Sequence, residues 1–202
     1  SPGIKTGGGY QYEYMVLDIL KKYHKNSEIN LKFFVTNKNI LKDYLDLNIP
    51  IQVIRESILE KIHRNCLSSN FLYRILKKIG LQYSKFEIEL QRKNIDIVYF
   101  LSPSTLSQAL SNIPYIFTLW DLGHLDVLEF PEVSYDKEFE LREHLYTKSL
   151  KKAYRVIAES NYGKEYALKK YHLDEKRVDV LKLLPNIRVF DSQRHIEIKT
   201  KY

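Results

Sequence analysis

The chain has 202 residues, 44% of them hydrophobic and 28% charged, with a formal net charge of +7. A chain of this length buries roughly 70% of the surface that its unfolded form exposes, so it can form a core without a disulfide or a metal. The single cysteine, Cys66, excludes an internal disulfide and favours a reducing, cytoplasmic compartment. The sequence has no apolar run of about 18 residues, the length that would predict a transmembrane helix. The histidines lack metal-ligand spacing, so we predict neither a metal nor another cofactor.

The first feature along the chain is a glycine loop, Gly7, Gly8 and Gly9, followed by a helix predicted over residues 10–23. Glycines let the backbone approach a ligand closely, and the N-terminus of a helix offers free N–H groups to an anion. The spacing fits neither the dinucleotide-binding nor the P-loop motif. The loop is therefore interpreted either as a phosphate site or as a flexible turn that caps the helix. In a Rossmann-like unit such a turn follows a central first strand, which we expect to be missing from this sequence.

Short β-branched and aromatic runs alternate with helical stretches from residue 31 onward. Strands are predicted at residues 31–36, 51–54, 95–100, 115–120, 154–158 and 178–184, and further helices at 57–78, 135–152 and 161–171. Runs that are apolar on both faces are typical of parallel strands covered by helices. The sequence therefore predicts an α/β, doubly wound, Rossmann-like parallel sheet flanked by helices over residues 1–184. The polar, irregular stretch 185–202 is predicted to be an interdomain linker.

The helix predicted at residues 57–78 is strongly basic and has an apolar side. Its cations include Lys61, Arg64, Arg74, Lys77 and Lys78. A basic amphipathic helix can lie on an anionic membrane or another acidic surface. The alternative is an ordinary surface helix whose apolar side packs on the sheet and whose lysines lie in water.

A polar segment, Trp120-Asp121-Leu122-Gly123-His124, follows the apolar strand predicted at residues 115–120. Ligands of open α/β sheets bind outside the carboxyl ends of the strands. There the Asp121 carboxylate can accept a hydrogen bond from a ligand hydroxyl, and the His124 imidazole can transfer a proton near neutral pH. The alternative is an aspartate that caps the next turn, followed by an exposed histidine.

Taken together and in order, these features resemble the N-terminal domain of family 4 glycosyltransferases. The resemblance covers residues 1–185 and rests on the glycine loop, the run 117–124, the following Phe130-Pro131, Arg142 in the next helix and a strand that leads to Ser160. Many relatives carry a histidine immediately before the aspartate, where this chain has Trp120.

The resemblance implies the acceptor-side half of a retaining, metal-independent glycosyltransferase of the GT-B fold. It implies that Asp121 and His124 face the transferred sugar or the acceptor hydroxyl, and that Gly7, Gly8 and Gly9 approach the donor phosphates. The remaining cleft residues that it implies are Tyr10, Trp120, Arg142 and Ser160.

The same resemblance implies a nucleotide-diphosphate sugar as donor substrate and a glycan or polyprenyl-linked acceptor. A C-terminal donor-binding domain would complete the enzyme, so we expect the chain alone to be inactive. Surface-polysaccharide synthesis at the cytoplasmic face of a bacterial plasma membrane is the setting implied, with peripheral membrane contact.

Two other classes of function stay open. One is a non-catalytic, basic Rossmann-like module that binds a protein or a nucleic acid, since a basic surface attracts polyanions. The sequence shows no basic stretch with interleaved aromatic residues for base stacking, so no nucleic acid is expected. The other is a metabolic nucleotide-binding enzyme that uses the glycine loop.

Overall fold

The computed structural model describes residues 8–24, 28–67, 69–126, 129 and 135–182. The helices are α1 (Gly8–His24), α2 (Ile58–Leu67), α3 (Asn70–Lys78), α4 (Lys85–Arg92), α5 (Gly123–Asp126), α6 (Glu138–Lys152) and α7 (Asn161–Tyr171). The strands are β1 (Phe33–Val35), β2 (Ile51–Val53), β3 (Val98–Phe100), β4 (Tyr115–Leu119), β5 (Arg155–Ala158) and β6 (Val178–Val180). Segments of 3-10 helix cover Lys38–Leu47, Thr105–Ala109, Tyr135–Lys137 and Glu175–Arg177. Gly7 and the predicted linker 185–202 lie outside the described residues.

The predicted fold class is confirmed: the protein is α/β, with parallel sheets flanked by helices, and is compatible with a Rossmann-like fold. Strands β3, β4, β5 and β6 form a parallel sheet in that order, with Phe117 of β4 opposite Phe100 and Val156. Strands β1 and β2 form a second parallel sheet, with Phe34 opposite Gln52. Within the described residues β1 and β3 share no ladder, so the strands are divided between two sheets.

The main core surrounds β4, the strand with the longest buried run. Tyr115, Phe117, Thr118 and Leu119 are all buried, so side chains on both faces of this strand are covered. Burying a large apolar side chain stabilises the fold by about 1.5–3 kcal/mol relative to its exposure. A smaller cluster lies beneath α1 and β1 and is formed by Leu17, Phe33, Ile40, Tyr44 and Leu47.

The helix predicted at residues 57–78 is two helices, α2 and α3, which contact each other. Ser69 is the N-cap residue of α3. Its side chain makes no cap hydrogen bond, but its backbone is extended, with φ −90° and ψ 123°, so the helical path is broken at this residue. Serine and asparagine have low helix propensity, which favours a break at Ser69 and Asn70.

Candidate functional site

The candidate site lies at the carboxyl ends of β4 and β5, where two acidic residues follow neighbouring strands. Asp121 comes shortly after β4 and Glu159 directly after β5, and the last residues of these strands, Leu119 and Ala158, are paired in the ladder. Burial raises the pKa of Glu159 above the usual value for a glutamate, and the negative charge of Asp121 raises it further. The two carboxyl groups therefore interact electrostatically at one edge of the sheet.

The N-terminus of α1 reaches the same edge through Gly9. A Cβ added to Gly9 would lie 2.5 Å from Cη2 of the Trp120 indole, closer than carbon atoms in contact can come. Glycine is needed here because the helix backbone rests on the ring. The structure thus brings Gly8 and Gly9 next to the segment that carries Asp121.

Asp121 has a structural partner and an ionic neighbour. Its Oδ1 accepts a hydrogen bond from the Gly123 N–H at 3.0 Å and lies 4.0 Å from Nη1 of Arg142. Arg142 also lies 3.5 Å from the Glu138 carboxylate on the preceding turn of α6. The Asp121 side chain is still 63% exposed, so it is available to a ligand while it orders the start of α5.

His124 lies inside the protein, whereas both interpretations of the sequence placed its ring outside the core. The residue is 0% exposed, and its ring contacts Phe139 and Tyr146 with centroid distances of 5.7 Å in each case. Its Nε2 lies 3.1 Å from Oε1 of Glu143, while its buried Nδ1 has no hydrogen-bond partner in the part of the chain that the structure describes. In this arrangement His124 has no direct access to a ligand at the edge of the sheet.

Glu143 is the centre of a polar cluster around His124. Its Oε1 accepts a hydrogen bond from the Tyr171 hydroxyl at 2.6 Å, and its Oε2 lies 3.2 Å from the Lys170 ammonium. Burial alone would raise the pKa of Glu143, but the hydrogen bonds from Tyr171, His124 and Lys170 outweigh it and lower the pKa. The cluster fixes α5, α6 and α7 to one another.

The other residues predicted for the cleft have different surroundings. The Tyr10 hydroxyl donates to the Asp43 carbonyl at 3.1 Å, and its ring stacks on Tyr44, so this side chain belongs to the smaller cluster. The Ser160 Oγ accepts from the Gly163 N–H at 3.0 Å and caps α7. The Trp120 indole N–H is buried and has no acceptor among the described residues, which leaves one strong donor unused at the edge.

The basic residues of α2 and α3 divide into two groups. Lys61, Arg74, Lys77 and Lys78 are exposed. Arg64 is buried, and its guanidinium donates to both carboxylate oxygens of Glu56 at 2.8 and 3.2 Å. Its Nη1 also donates to the Thr105 carbonyl oxygen at 3.4 Å, so Arg64 attaches α2 to the segment before β4 and is separate from the exposed cations.

Glu159 is the site residue that the sequence reasoning did not single out. The sequence did contain a signal for Glu159, because this residue follows its strand much as Asp121 follows β4. Adjacent parallel strands end at the same edge of a sheet, where ligands bind.

The described residues contain neither a candidate metal site nor a candidate membrane-spanning helix. No group of three or more histidine, cysteine, aspartate or glutamate residues is arranged to hold a metal ion. None of the described helices combines the length and apolar character needed to cross a membrane. The chain matches no known family model, no curated protein and no solved structure.

Proposed function

We propose that this protein is the acceptor-side domain of a retaining glycosyltransferase that uses a nucleotide-diphosphate sugar. The observation that carries the proposal is the contact of Gly9 with Trp120, which sets the N-terminus of α1 beside Asp121 at the carboxyl ends of the strands. Phosphate-binding and hydroxyl-binding groups thereby lie together at one edge of the sheet.

The donor diphosphate suits the N-terminus of α1. The helix is 17 residues long and has no acidic residue in its first turn, so no carboxylate of that turn neutralises the positive end of the helix dipole, where backbone N–H groups point at a ligand. Fixed donors of this kind stabilise the negative charge that develops on a departing diphosphate.

The acceptor sugar suits Asp121, whose exposed carboxylate accepts a hydrogen bond from a hydroxyl. In the proposed reaction the acceptor oxygen bonds to the anomeric carbon as the bond from that carbon to the diphosphate breaks. The acceptor proton passes to the departing phosphate oxygen. Asp121 positions the hydroxyl, and Arg142, 4.0 Å away, orients Asp121. Glu159 adds a second carboxyl group at the same edge, and burial and the Asp121 charge raise its pKa. His124 acts on this site only through the position of α5.

The complete enzyme in this proposal includes a C-terminal donor-binding domain, and no metal or cofactor takes part. A glycan or a polyprenyl-linked sugar is the acceptor, and the product belongs to a surface polysaccharide made at the cytoplasmic side of the membrane.

A titration of the chain with pyrophosphate tests the phosphate site directly. Trp120 is the single tryptophan, so its indole N–H gives one resolved nuclear magnetic resonance signal. We expect the amide signals of Gly8 and Gly9 and the indole signal to shift with pyrophosphate at constant ionic strength, and not with chloride. Shifts confined to the lysines of α3 would contradict a phosphate site at α1.

Sugar transfer by the complete enzyme tests the role of Asp121. With a panel of nucleotide sugars and lipid-linked acceptors, Asp121→Asn should lower kcat by about tenfold or more, because a positioning contact in the transition state is weakened. Asp126→Asn is the matched control, since Asp126 is an exposed aspartate of α5 that bonds Tyr166. Equal rates for both variants would remove Asp121 from the site.

A further inference from the structure

Helices α2 and α3 leave their large apolar side chains in solvent. These side chains range from 38% exposed for Leu72 to 78% for Leu59. The set comprises Ile58, Leu59 and Ile62 of α2 and Phe71, Leu72 and Ile75 of α3. Three such side chains lie within five residues of each helix, whereas exposed apolar residues on an ordinary protein surface are scattered singly.

The two helices repeat one sequence pattern on their exposed sides. Ile58-Leu59-Glu60-Lys61-Ile62 and Phe71-Leu72-Tyr73-Arg74-Ile75 both have apolar residues at the first, second and fifth positions and a cation at the fourth. In a helix the first, second and fifth positions share one side, and the fourth lies at its margin. Each helix therefore presents an apolar strip with a basic border.

The opposite side of α2 is held by polar contacts. Arg64 on that side is buried, pairs with Glu56 and donates from Nη1 to the Thr105 carbonyl oxygen at 3.4 Å. A surface helix of a globular protein normally does the reverse and turns its apolar side to the core. These contacts fix α2 in the orientation that exposes its apolar strip.

The charge around the strips is positive. Lys61, Arg74, Lys77 and Lys78 are exposed, and α3 contains no acidic residue. The acidic residue of α2, Glu60, is engaged with the Lys85 ammonium at 2.6 Å. Apolar strips with cationic borders complement a bilayer that has anionic headgroups above an apolar interior.

Other occupants fit these groups less well. A second copy of the chain would bring the same cations together, and like charges across an interface are unfavourable. A nucleic acid would pair with the cations but would leave the apolar strips uncovered.

We propose that α2 and α3 dock the protein on an anionic lipid bilayer. The six apolar side chains enter the interfacial layer, and the exposed cations that border the strips, Lys61, Arg74 and Lys78, contact the headgroups. We call these nine residues the α2–α3 face. The proposal is independent of sugar transfer, because bilayer binding is measured on the chain alone.

Vesicle co-sedimentation tests the proposal. We expect the chain to bind vesicles of phosphatidylcholine mixed with phosphatidylglycerol more tightly than vesicles of phosphatidylcholine alone. Added salt should weaken this binding only in part, because it screens the cations and leaves apolar insertion intact. Equal binding to both kinds of vesicle, or binding to neither, would overturn the proposal.

Matched pairs of variants separate the α2–α3 face from general surface effects. Arg74→Gln with Lys78→Gln should reduce partitioning by about 25-fold, from about fivefold for each cation near an anionic surface. Lys148→Gln with Lys169→Gln removes the same charge from exposed positions of α6 and α7 and should change partitioning much less. Equal losses in the two pairs would show unspecific attraction and overturn the proposal.

The apolar strips are tested in the same way. Phe71→Ser with Ile75→Ser should weaken binding and increase its salt sensitivity, whereas Ile97→Ser with Leu141→Ser, at exposed sites elsewhere, should not. Sedimentation equilibrium checks the association state. A dimer that Phe71→Ser with Ile75→Ser abolishes would mean that the α2–α3 face joins two copies, and would overturn bilayer docking.

Discussion

Single residues decide how closely α1 can approach the candidate site, and Gly9 is the clearest of them. Gly8 and Gly9 are adjacent in the first turn; Gly9 rests on the Trp120 ring, whereas Gly8 is exposed. A glycine loop read from sequence does not distinguish the two, because the need for Gly9 comes from a ring more than 100 residues away in the chain.

Replacing each glycine by alanine separates helix propensity from close packing. Gly8→Ala should leave stability unchanged or raise it by up to about 1 kcal/mol, because alanine favours the helix. Gly9→Ala should lower stability by about 1 kcal/mol, since displacing the indole costs more than the helix gains. Urea unfolding followed by Trp120 fluorescence measures both. An equal effect of the two substitutions would contradict the contact.

The buried position of His124 predicts a loss of stability on truncation. His124→Ala removes a ring that packs between Phe139 and Tyr146 and leaves the Glu143 cluster incomplete, so we expect a loss of about 2–4 kcal/mol. His144→Ala, at an exposed position of α6, is the control and should change stability by less than about 0.5 kcal/mol. A His124→Ala variant as stable as the parent chain would show that the ring is not part of the core.

Glu143 predicts how stability depends on pH. Because its pKa is lower in the folded protein than in the unfolded chain, its ionised form contributes stability above the usual glutamate pKa, and that contribution is lost as the pH falls through the lowered value. Glu143→Gln should therefore cost about 1 kcal/mol near neutral pH and progressively less in acid. Urea unfolding across this range measures the difference. A cost that stays constant with pH would contradict a charge-dependent role.

Among the elements, α4 shows a signal that was present in the sequence but went unused. Ser84 and Glu87 fit the spacing of a capping box, which marks the start of a helix. Ser84 does cap α4 by accepting from the Glu87 N–H at 3.0 Å. The Glu87 carboxylate, however, turns to a distant loop and accepts from the N–H groups of Ser111, Asn112 and Ile113 at 2.8, 2.5 and 3.2 Å. Its destination could not be predicted because it depends on tertiary packing.

Glu87 should consequently be critical for the loop before β4. Glu87→Ala removes a fully buried carboxylate and leaves three backbone donors without their acceptor, of which the Ile113 N–H is buried, so we expect a loss of about 2–4 kcal/mol. Glu87→Gln keeps an acceptor oxygen and should recover part of that loss, and Glu89→Ala serves as the control on the same helix. Thermal unfolding compares the three. A small effect of Glu87→Ala would mean that water replaces the carboxylate.

For α2 and α3, the apolar pattern of the sequence predicts the wrong side of the helices to be buried. Periodicity correctly identified an amphipathic segment, and the ordinary interpretation packs its apolar side on the sheet. The structure instead buries Arg64 against Glu56 and exposes Ile58 and Phe71. A pattern defines two sides of a helix, but the partner that covers one of them is a property of the whole fold.

At the scale of the whole molecule, the parallel α/β architecture was predictable because each strand is a short apolar run between helices. Strand pairing was not, since ladders depend on which strands become neighbours in space. The division between β1–β2 and β3–β6 is therefore a finding of the structure. The position of Asp121 at a strand end followed from the sequence, whereas its proximity to Gly9 and Glu159 required the fold.

The division into two sheets predicts two levels of local stability. Phe117 lies on a strand paired on both sides and within the main core, whereas Phe33 lies on a two-stranded sheet and in the smaller cluster. In native-state hydrogen exchange, the amides of β4 and β5 should open only with global unfolding. The amides of β1 and β2 should open at a free energy lower by about 1.4 kcal/mol or more, which corresponds to a tenfold lower protection factor. Edge strand β3 is the control, because it is as short as β1 but belongs to the larger sheet. Equal opening free energies in β1 and β4 would mean that both sheets unfold as one cooperative unit. The contacts between α1 and β3 would then couple the two sheets. One of these contacts is the 3.0 Å hydrogen bond between the Tyr12 and Tyr99 hydroxyls.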